Sequence, residues 1–363
     1  MTRFIVMALV LGAVLLVAGC AGPAVDPLGP SDLDTAVSAI GDVGETVALA
    51  LETDAALQAM AVPCGWFAPL PLPLAATPSL VIVHEPLHRG IYECNPITFE
   101  WDYVGPSGNL EYRWSFVDAS DDVRNAILVI DWGTTDDVGD GEGGTVEVPT
   151  DDMSVTLTID GAAGGQFDIE LDWFADDACP AGVMSPTSGL IDGSIGFDAT
   201  LALNSVGFTL ADDAFDTSGE IVATAGSNAI GVDWDIGIGI DLTRIDCYID
   251  DVEVIDGSVA VAVFGSSAGT TTRLALSFGF SDIETGEYGE LESVAISGGH
   301  LRLNNASVVT FAGTLDDANE NGVPGDNLNL TFADGTQMTL EAYLETYVVE
   351  TAALVRRALS LLR

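Results

Sequence analysis

From about residue 79 onward, apolar and polar positions alternate with a period of two. Leu110, Tyr112, Trp114 and Phe116 share one face, and Glu111, Arg113 and Ser115 share the other. Phe167, Ile169, Leu171 and Trp173 interleave with Asp168, Glu170 and Asp172. Ile195, Phe197, Ala199, Leu201 and Leu203 repeat the scheme, and Ile230, Val232, Trp234, Ile236, Ile238 and Ile240 carry it most clearly. It continues through Val259, Val261 and Val263, then Leu274, Leu276, Phe278 and Phe280. An extended chain turns this pattern into one dry and one wet surface. Asp160-Gly161, Asp192-Gly193 and Asp256-Gly257 read as turns between strands. About a dozen or more antiparallel strands follow. Their dry faces must be buried, so the expected fold class is mainly β, an antiparallel β-sandwich or a large curled sheet over residues 79–335. A solenoid would need a fixed repeat, and only loosely similar hairpins are present.

Both flanks change period. Ser31 and Asp34 form a variant capping box, and Leu33, Val37, Ile40, Val43, Val47 and Leu51 recur at three and four residues. This predicts an amphipathic helical segment over 31–63, bent at Gly41 or Gly44, whose task is to cover a sheet face. Residues 64–78 hold Pro69, Pro71, Pro73 and Pro78, which exclude a helix and read as an extended connector. At the other end Leu340, Tyr343, Leu344, Val348, Ala352, Val355, Leu359 and Leu362 predict a helix within 336–363, capped by Thr339. Arg356, Arg357 and Arg363 lie towards its carboxyl end, where positive charge is favoured.

The first residues carry an address. A short positive start with Arg3 leads into an apolar run from Phe4 to Ala18, then Val17-Ala18-Gly19-Cys20. The run is shorter than the roughly 20 residues of a membrane-spanning helix. Residues 1–21 resemble the signal of bacterial lipobox lipoproteins. The resemblance implies a signal peptide over 1–19, diacylation (palmitate) of the Cys20 thiol after cleavage, and a tether over 20–30. Ala21, a residue other than Asp after the cysteine, implies outer-membrane sorting in many double-membrane bacteria. The expected location is therefore the cell envelope, with the lipid membrane as a partner through Cys20. A membrane-spanning barrel would share the strand alternation, but aromatic residues make up only 7% and form no pair of girdles.

The formal net charge is −46, with 56 acids against ten arginines and no lysine. That charge repels nucleic-acid phosphates and anionic lipid headgroups, so nucleic acid is excluded as a partner. With 48% apolar residues the chain is not a disordered acidic tail. The acidity fits either a saline habitat or many weak divalent-cation contacts. Cys64, Cys94, Cys179 and Cys247 remain in an exported chain and suggest two disulfides, Cys64–Cys94 and Cys179–Cys247 by proximity.

One local motif suits a hard cation. In Asp317-Ala318-Asn319-Glu320-Asn321-Gly322-Val323-Pro324-Gly325-Asp326, side-chain oxygens recur at Asp317, Asn319 and Asn321. Gly322 permits a sharp turn, the Val323 carbonyl can point inward, and Asp326 can complete the shell. The run resembles the calcium loops of EF-hands, dockerins and thrombospondin type 3 repeats. It departs from the EF-hand at position twelve, where Leu328 replaces glutamate, and a strand-like run precedes it, so the β-type extracellular loops are the nearer match. The resemblance implies calcium. Asp136-Asp137-Val138-Gly139-Asp140-Gly141-Glu142 lacks the regular spacing and reads as a solvated acidic loop. His84-Glu85-Pro86-Leu87-His88 matches the H-E-x-x-H letters of zincin metallopeptidases, but Pro86 opposes the helix that would turn both imidazoles one way.

No catalytic residues stand out. The sequence thus leads to an exported, membrane-anchored lipoprotein with a non-enzymatic structural or ligand-binding role, calcium-stabilised, its partner a surface protein. The alternatives are a carrier of an apolar small molecule beneath helical lids, and a hydrolase using paired carboxylates.

Overall fold

The computed structural model describes residues 30–62, 89–133, 135–139, 145–149, 153–174, 185–245, 248–285, 291–319 and 325–347. Two helices come first, α1 (Pro30–Thr53) and α2 (Ala55–Ala61), and a third, α3 (Leu340–Tyr347), comes last. Between them run β1 (Gly90–Cys94), β2 (Trp101–Gly105), β3 (Leu110–Val117), β4 (Val123–Asp131), β5 (Thr135–Gly139) and β6 (Thr145–Pro149). Next come β7 (Met153–Ile159), β8 (Ala162–Phe174), β9 (Ser185–Gly196), β10 (Ala199–Leu210), β11 (Ala214–Ala225) and β12 (Asn228–Ile245). The series ends with β13 (Tyr248–Ser267), β14 (Thr270–Thr285), β15 (Leu291–Leu303), β16 (Ala306–Asp316), β17 (Asn327–Phe332) and β18 (Gln337–Thr339).

The fold is mainly β. Sixteen strands form one sheet in the order β18-β17-β16-β15-β14-β13-β12-β11-β10-β9-β8-β7-β4-β3-β1-β2, and β5 and β6 form a separate pair. Neighbours are antiparallel except β1 and β3, which run parallel because the β1–β2 hairpin turns β2 to the outside. The sheet is open: among the described residues β18 and β2 end it and do not pair with each other.

The period of two translates directly into burial. Leu110, Tyr112, Trp114 and Phe116 are buried, as are Ile236, Ile238 and Ile240, and Leu274, Leu276, Phe278 and Phe280. Each such side chain contributes roughly 1.5–3 kcal/mol on leaving water. They gather in two clusters. One joins Leu33, Ala36 and Ile40 of α1 with β12 to β17 and with Leu340 and Tyr343 of α3. The other joins Ala56 and Ala59 of α2 with β3, β4 and β7 to β9. The helices therefore cover the apolar face of the sheet, and Thr339 caps α3 by accepting from the Ala342 N–H at 3.2 Å. Close approach of α1 depends on Gly265 in β13, where a Cβ would stand 3.0 Å from the Ile40 Cα.

Several expectations change. The N-terminal helix is continuous through Gly41 and Gly44, and the helical run breaks at Asp54. Asp160-Gly161 is a turn, with φ of 50° and 82°, but Asp192-Gly193 lies inside β9 and Asp256-Gly257 inside β13. Gly193 is needed there because a Cβ would meet the Gln166 carbonyl oxygen at 2.2 Å on β8. The disulfide expectation is corrected. No Sγ–Sγ pair stands at disulfide or near distance among the described residues. Cys94 lies in β1, in register with Trp101, whereas Cys64, Cys179 and Cys247 fall outside the described residues.

The break at Asp54 is the main polar tie between helices and sheet. Asp54 is 5% exposed, the one charged side chain among the buried described residues. Its Oδ1 caps α2, accepting from Ala56 N–H at 3.0 Å and Leu57 N–H at 3.4 Å. Its Oδ2 accepts from the N–H groups of Phe197, Asp198 and Ala199 at 2.8, 3.1 and 3.4 Å, in the turn between β9 and β10. Replacing Asp54 with alanine orphans both sets of donors, so unfolding stability should fall by about 2–4 kcal/mol. Asp54→Asn, which keeps one acceptor oxygen, should lose less. Chemical denaturation followed by tryptophan fluorescence checks this, and a shared loss below about 0.5 kcal/mol would refute it.

Candidate functional site

The β16–β17 connection and the first turn of α3 meet at one rim of the sheet. Gly325 makes the meeting possible. Its N–H donates to the Asp316 carbonyl at 2.6 Å, and its carbonyl accepts from Leu328 and Glu341, both at 3.3 Å. It is buried with φ +109°, and a Cβ would lie 2.7 Å from the Leu340 Cβ. Asp326 is thereby set beside Glu341. Asn319 clasps both acids: its backbone N–H donates to Asp326 Oδ2 at 3.0 Å, and its Nδ2 donates to Asp326 Oδ1 and Glu341 Oε1, each at 2.8 Å. Asn327 Nδ2 donates to Asp316 Oδ2 at 2.7 Å, while Asp316 Oδ1 is buried without a hydrogen-bond partner.

The electrostatics follow from this crowding. A hydrogen bond with Glu341 holds the Asp326 carboxyl above the usual carboxylate range, and Glu341's charge adds to the effect, against the opposing N–H donors of Asn319 and Ala318. Two carboxyl groups in contact favour a shared proton or a cation between them. Of the sequence-predicted ligands, Asp317, Asn319 and Asp326 are described, and Asn321 and Val323 lie outside the described residues. The structure brings Asn319 to Asp326 but presents its amide nitrogen, not its oxygen, to the acids. Among the described residues, no group of three or more His, Cys, Asp or Glu side chains has a spacing suited to a metal ion. Glu341 was not visible as a partner in the sequence, where it is only an acid in a helical first turn, far from the loop along the chain.

Other sequence candidates resolve less. Cys20 and the His84–His88 segment lie outside the described residues. Asp136 and Asp137, expected in a loop, belong to β5 and pair with β6. On the sheet, Asp216, Gly237, Ser258, Gly279 and Ser297 align in register across β11 to β15. These small residues form the floor of a shallow groove of about 420 Å³, with Asp256 beside them. A second groove of about 330 Å³ adjoins at Asp216 and includes Glu170, Asp172 and Asp235. Under α3 and the start of α1, the space between Leu33, Leu301, Phe311, Phe332 and Tyr343 is about 10 Å³, room for at most one water. No protein-family model, curated protein or solved structure matches the chain.

The pH response separates two kinds of acid. Asp326, with its raised carboxyl, favours the protonated folded state, so its contribution is present below its ordinary value of 3.8 and is lost as pH rises through the raised one. Asp118 is held low first by its hydrogen bond from Arg124, and Asp160 first by the backbone N–H of Asn125. Their contribution is present above 3.8 and disappears as pH falls. Glu341→Gln should therefore raise the melting temperature at pH 7, with the gain shrinking towards pH 3, whereas Arg124→Gln should lower it at pH 7 with little effect at pH 3. Thermal scans at the two pH values check both, and a Glu341→Gln gain of equal size at both would contradict the shared-proton account.

Proposed function

We propose that the protein is a cell-envelope lipoprotein, held by an acylated Cys20, whose β-rich body does non-enzymatic structural or binding work outside the membrane. The observation that carries the non-enzymatic reading is the covered apolar face. α1 and α2 lie along β7 to β14, α3 packs on β17 and β18, and the space under Leu33 and Tyr343 is close to solid. A ligand carrier would need that space open, and a hydrolase would need converging acids in a water-excluding cleft. The two sheet grooves are instead shallow: one is floored by Gly and Ser beside Asp216 and Asp256, and the other mixes Glu170, Asp172 and Asp235 with Leu171, Leu190 and Phe208.

The sheet is read further as a single curled layer rather than a sandwich. Support comes from the Phe278 and Phe311 rings, on β14 and β16, whose centroids are 6.1 Å apart although their strands are two apart in the sheet. Strand axes two apart in a flat sheet are separated by about 9.6 Å, so rings leaning this close together suit a sheet that curves towards its helices. The covering helices follow the anchor directly in sequence, which suits a body docked close behind its tether. The outer-membrane destination rests on Ala21 after the lipobox cysteine.

The anchor is tested in a bacterial host with labelled palmitate. The wild type should take up label and fractionate with membranes, and Cys20→Ala should lose both while its circular dichroism stays β-rich. Label retained in Cys20→Ala would overturn the anchored reading.

A calcium role belongs to the same proposal. Asp326 and Glu341, clasped by Asn319 and close in sequence to Asp317, form an acid pair that a hard cation would relieve. Calorimetry with calcium on wild type and Asp317→Ala should give a binding heat and a higher melting temperature for the wild type alone. Equal heats and equal melting points would end the calcium reading.

A further inference from the structure

Asparagine followed two residues later by serine or threonine, with no proline between, is the acceptor sequence for N-linked glycosylation of exported chains. The chain contains it twice, at Asn305-Ala306-Ser307 and at Asn329-Leu330-Thr331. The letters do not choose between the two sites, but the fold does. Asn329 lies within β17, in register with Ala312 of β16 on one side and Thr339 of β18 on the other. Leu330 beside it is buried, and Thr331 is again paired on both sides, with Thr310 and Gln337. A transferase must seat the acceptor residues in its own cleft, so it would reach Asn329 only after β17 had been stripped from both neighbours.

The first site stands on a tip. Asn304 and Asn305 make the two-residue turn between β15 and β16, with φ of 47° and 70°. A tight hairpin asks for positive φ at both central residues, which asparagine tolerates. The two asparagines divide the work. Asn304 is tied to β14: its N–H donates to the Arg273 carbonyl at 2.8 Å, and its Oδ1 accepts from the Arg273 N–H at 2.8 Å. The Asn305 side chain has no hydrogen-bond partner among the described residues, and Asn304 to Ser307 are all exposed. Behind the tip the register slips. Leu301 faces Val309 and Arg302 faces Ser307, so Val308 is an extra residue. A bulge at a sheet rim re-aims side chains, and this one keeps Val308 and Val309 in the core while Ser307 stays in water. The β16–β17 ladder starts at Val309, with one further bond from Ala333 N–H to the Val308 carbonyl. Ala306 and Ser307 therefore overhang β17 and pair only with β15 among the described residues. The turn explains both asparagines but asks nothing of Ser307, whose hydroxyl also has no partner among the described residues.

We infer that Asn305 is a glycosylation site and carries an oligosaccharide attached after the sheet has formed. The donor is a sugar chain linked to a polyprenyl phosphate or pyrophosphate. The Asn305 Nδ2 attacks the anomeric carbon of that donor. A C–N bond forms as the anomeric C–O bond breaks, the lipid phosphate leaves with the bonding electrons, and one amide proton passes to a base of the transferase. Nothing is oxidised or reduced. The Ser307 hydroxyl, two residues along the overhang, is the group the transferase reads together with Asn305. The attached chain points into water from a tip whose core contacts stay in place. The inference rests on the exported reading proposed above, because donor and transferase act outside the cytoplasm, but not on acylation of Cys20.

The full chain is solubilised in detergent from the cells that make it, purified and digested, and peptide mass spectrometry with electron-transfer fragmentation locates any sugar. The expected result is a hexose- or aminosugar-containing mass on Asn305 and none on Asn329. Asn305→Gln and Ser307→Ala should lose it, Ser307→Thr should keep it, and Asn329→Gln should change nothing. The two Ser307 variants serve if Asn305→Gln disturbs the turn. A second arm supplies an oligosaccharyltransferase that reads N-x-[ST], with its lipid-linked sugar, to the folded unmodified chain and to its digest. The digest should accept sugar at both sites. The folded chain should accept it at Asn305, with Asn329 slower by about tenfold or more, because β17 must first open. Bare Asn305 in the chain taken from cells, sugar retained in Ser307→Ala, or equal modification of both sites in the folded chain would each overturn the inference. Palmitate label on the same preparation keeps the two readings apart: a labelled chain with bare Asn305 sinks the glycan alone, and an unlabelled chain with bare Asn305 sinks the anchor with it.

Discussion

The architecture depends on the carboxylate of Asp54. A sheet built from alternating residues has a whole apolar face to hide, and in this chain helices hide it. A helix lying on a sheet through apolar contacts alone is free to slide, because burial is not directional. Asp54 removes that freedom. One oxygen is fixed by the start of α2 and the other by three successive N–H groups of the β9–β10 turn. Such a cradle of backbone donors suits an anion, and its burial makes each of the five bonds costly to lose. α1 before it and α2 after it are thereby indexed to the two apolar clusters they serve. Trp114 adds a second index from the sheet side, donating its indole N–H to the Ala59 carbonyl at 3.0 Å near the end of α2.

Positive charge is scarce, and its placement is informative. Arg124 bonds to Asp118 at 2.8 Å and to Asp160 at 3.2 Å, joining the turn after β3 to the turn after β7. Arg273 reaches Asp233 two strands away at 2.7 Å. Arg89 stacks its guanidinium 4.6 Å over the Trp132 ring and donates to the carbonyls of Gly108 and Trp132, stitching the entry to β1 onto the ends of β3 and β4. Exposed ion pairs contribute little one at a time. Arg124 to Asp160, Arg273 to Asp233 and Arg89 to Trp132 nonetheless each bridge segments 36 to 43 residues apart, where they oppose the self-repulsion of an acidic chain.

How much of this was readable beforehand depends on the physics behind each feature. Strand faces were legible because side-chain alternation is a local property of an extended chain: Leu274 to Phe280 and Ile236 to Ile240 are buried at every second position. The apolar stripe of α1 was legible for the same reason, with Leu33, Ile40 and Val47 buried. Turns were less so. Asp-Gly marks a site where a positive φ is cheap, and a long strand in a curled or bulged sheet can use such a site without reversing. β12 and β13 shift register between Gly239 and Ile240, where Ile255 is the extra residue, and neither Asp256 nor Gly257 has a positive φ, so the dipeptide stays in the strand instead of ending it. Asp54 carried a weak local signal, an N-cap residue inside a helical run. Its second set of partners lies 143 to 145 residues away, which no local pattern reveals. Glu341 was hidden in the same way, because only the path of β16 to β18 brings it to Asn319.

The same reasoning explains why the acid rim and the β2 edge lie at opposite ends of one ladder. A long sheet that does not close leaves two edges to be managed, and each solution has a chemical consequence. At the β17–β18 end the chain turns back as α3, and doing so forces Gly325 against Leu340 and carries Glu341 onto Asp326. Covering the edge thus costs electrostatic repulsion, which protonation or a cation would relieve. At the β2 end no described helix covers the strand, and Tyr103 and Val104 stay in water. That end keeps its apolar exposure, while Glu93 and Asp102 make the rim repulsive towards copies of the same chain. One edge is closed at an electrostatic cost, and at the other, among the described residues, acids in register discourage pairing with a second copy.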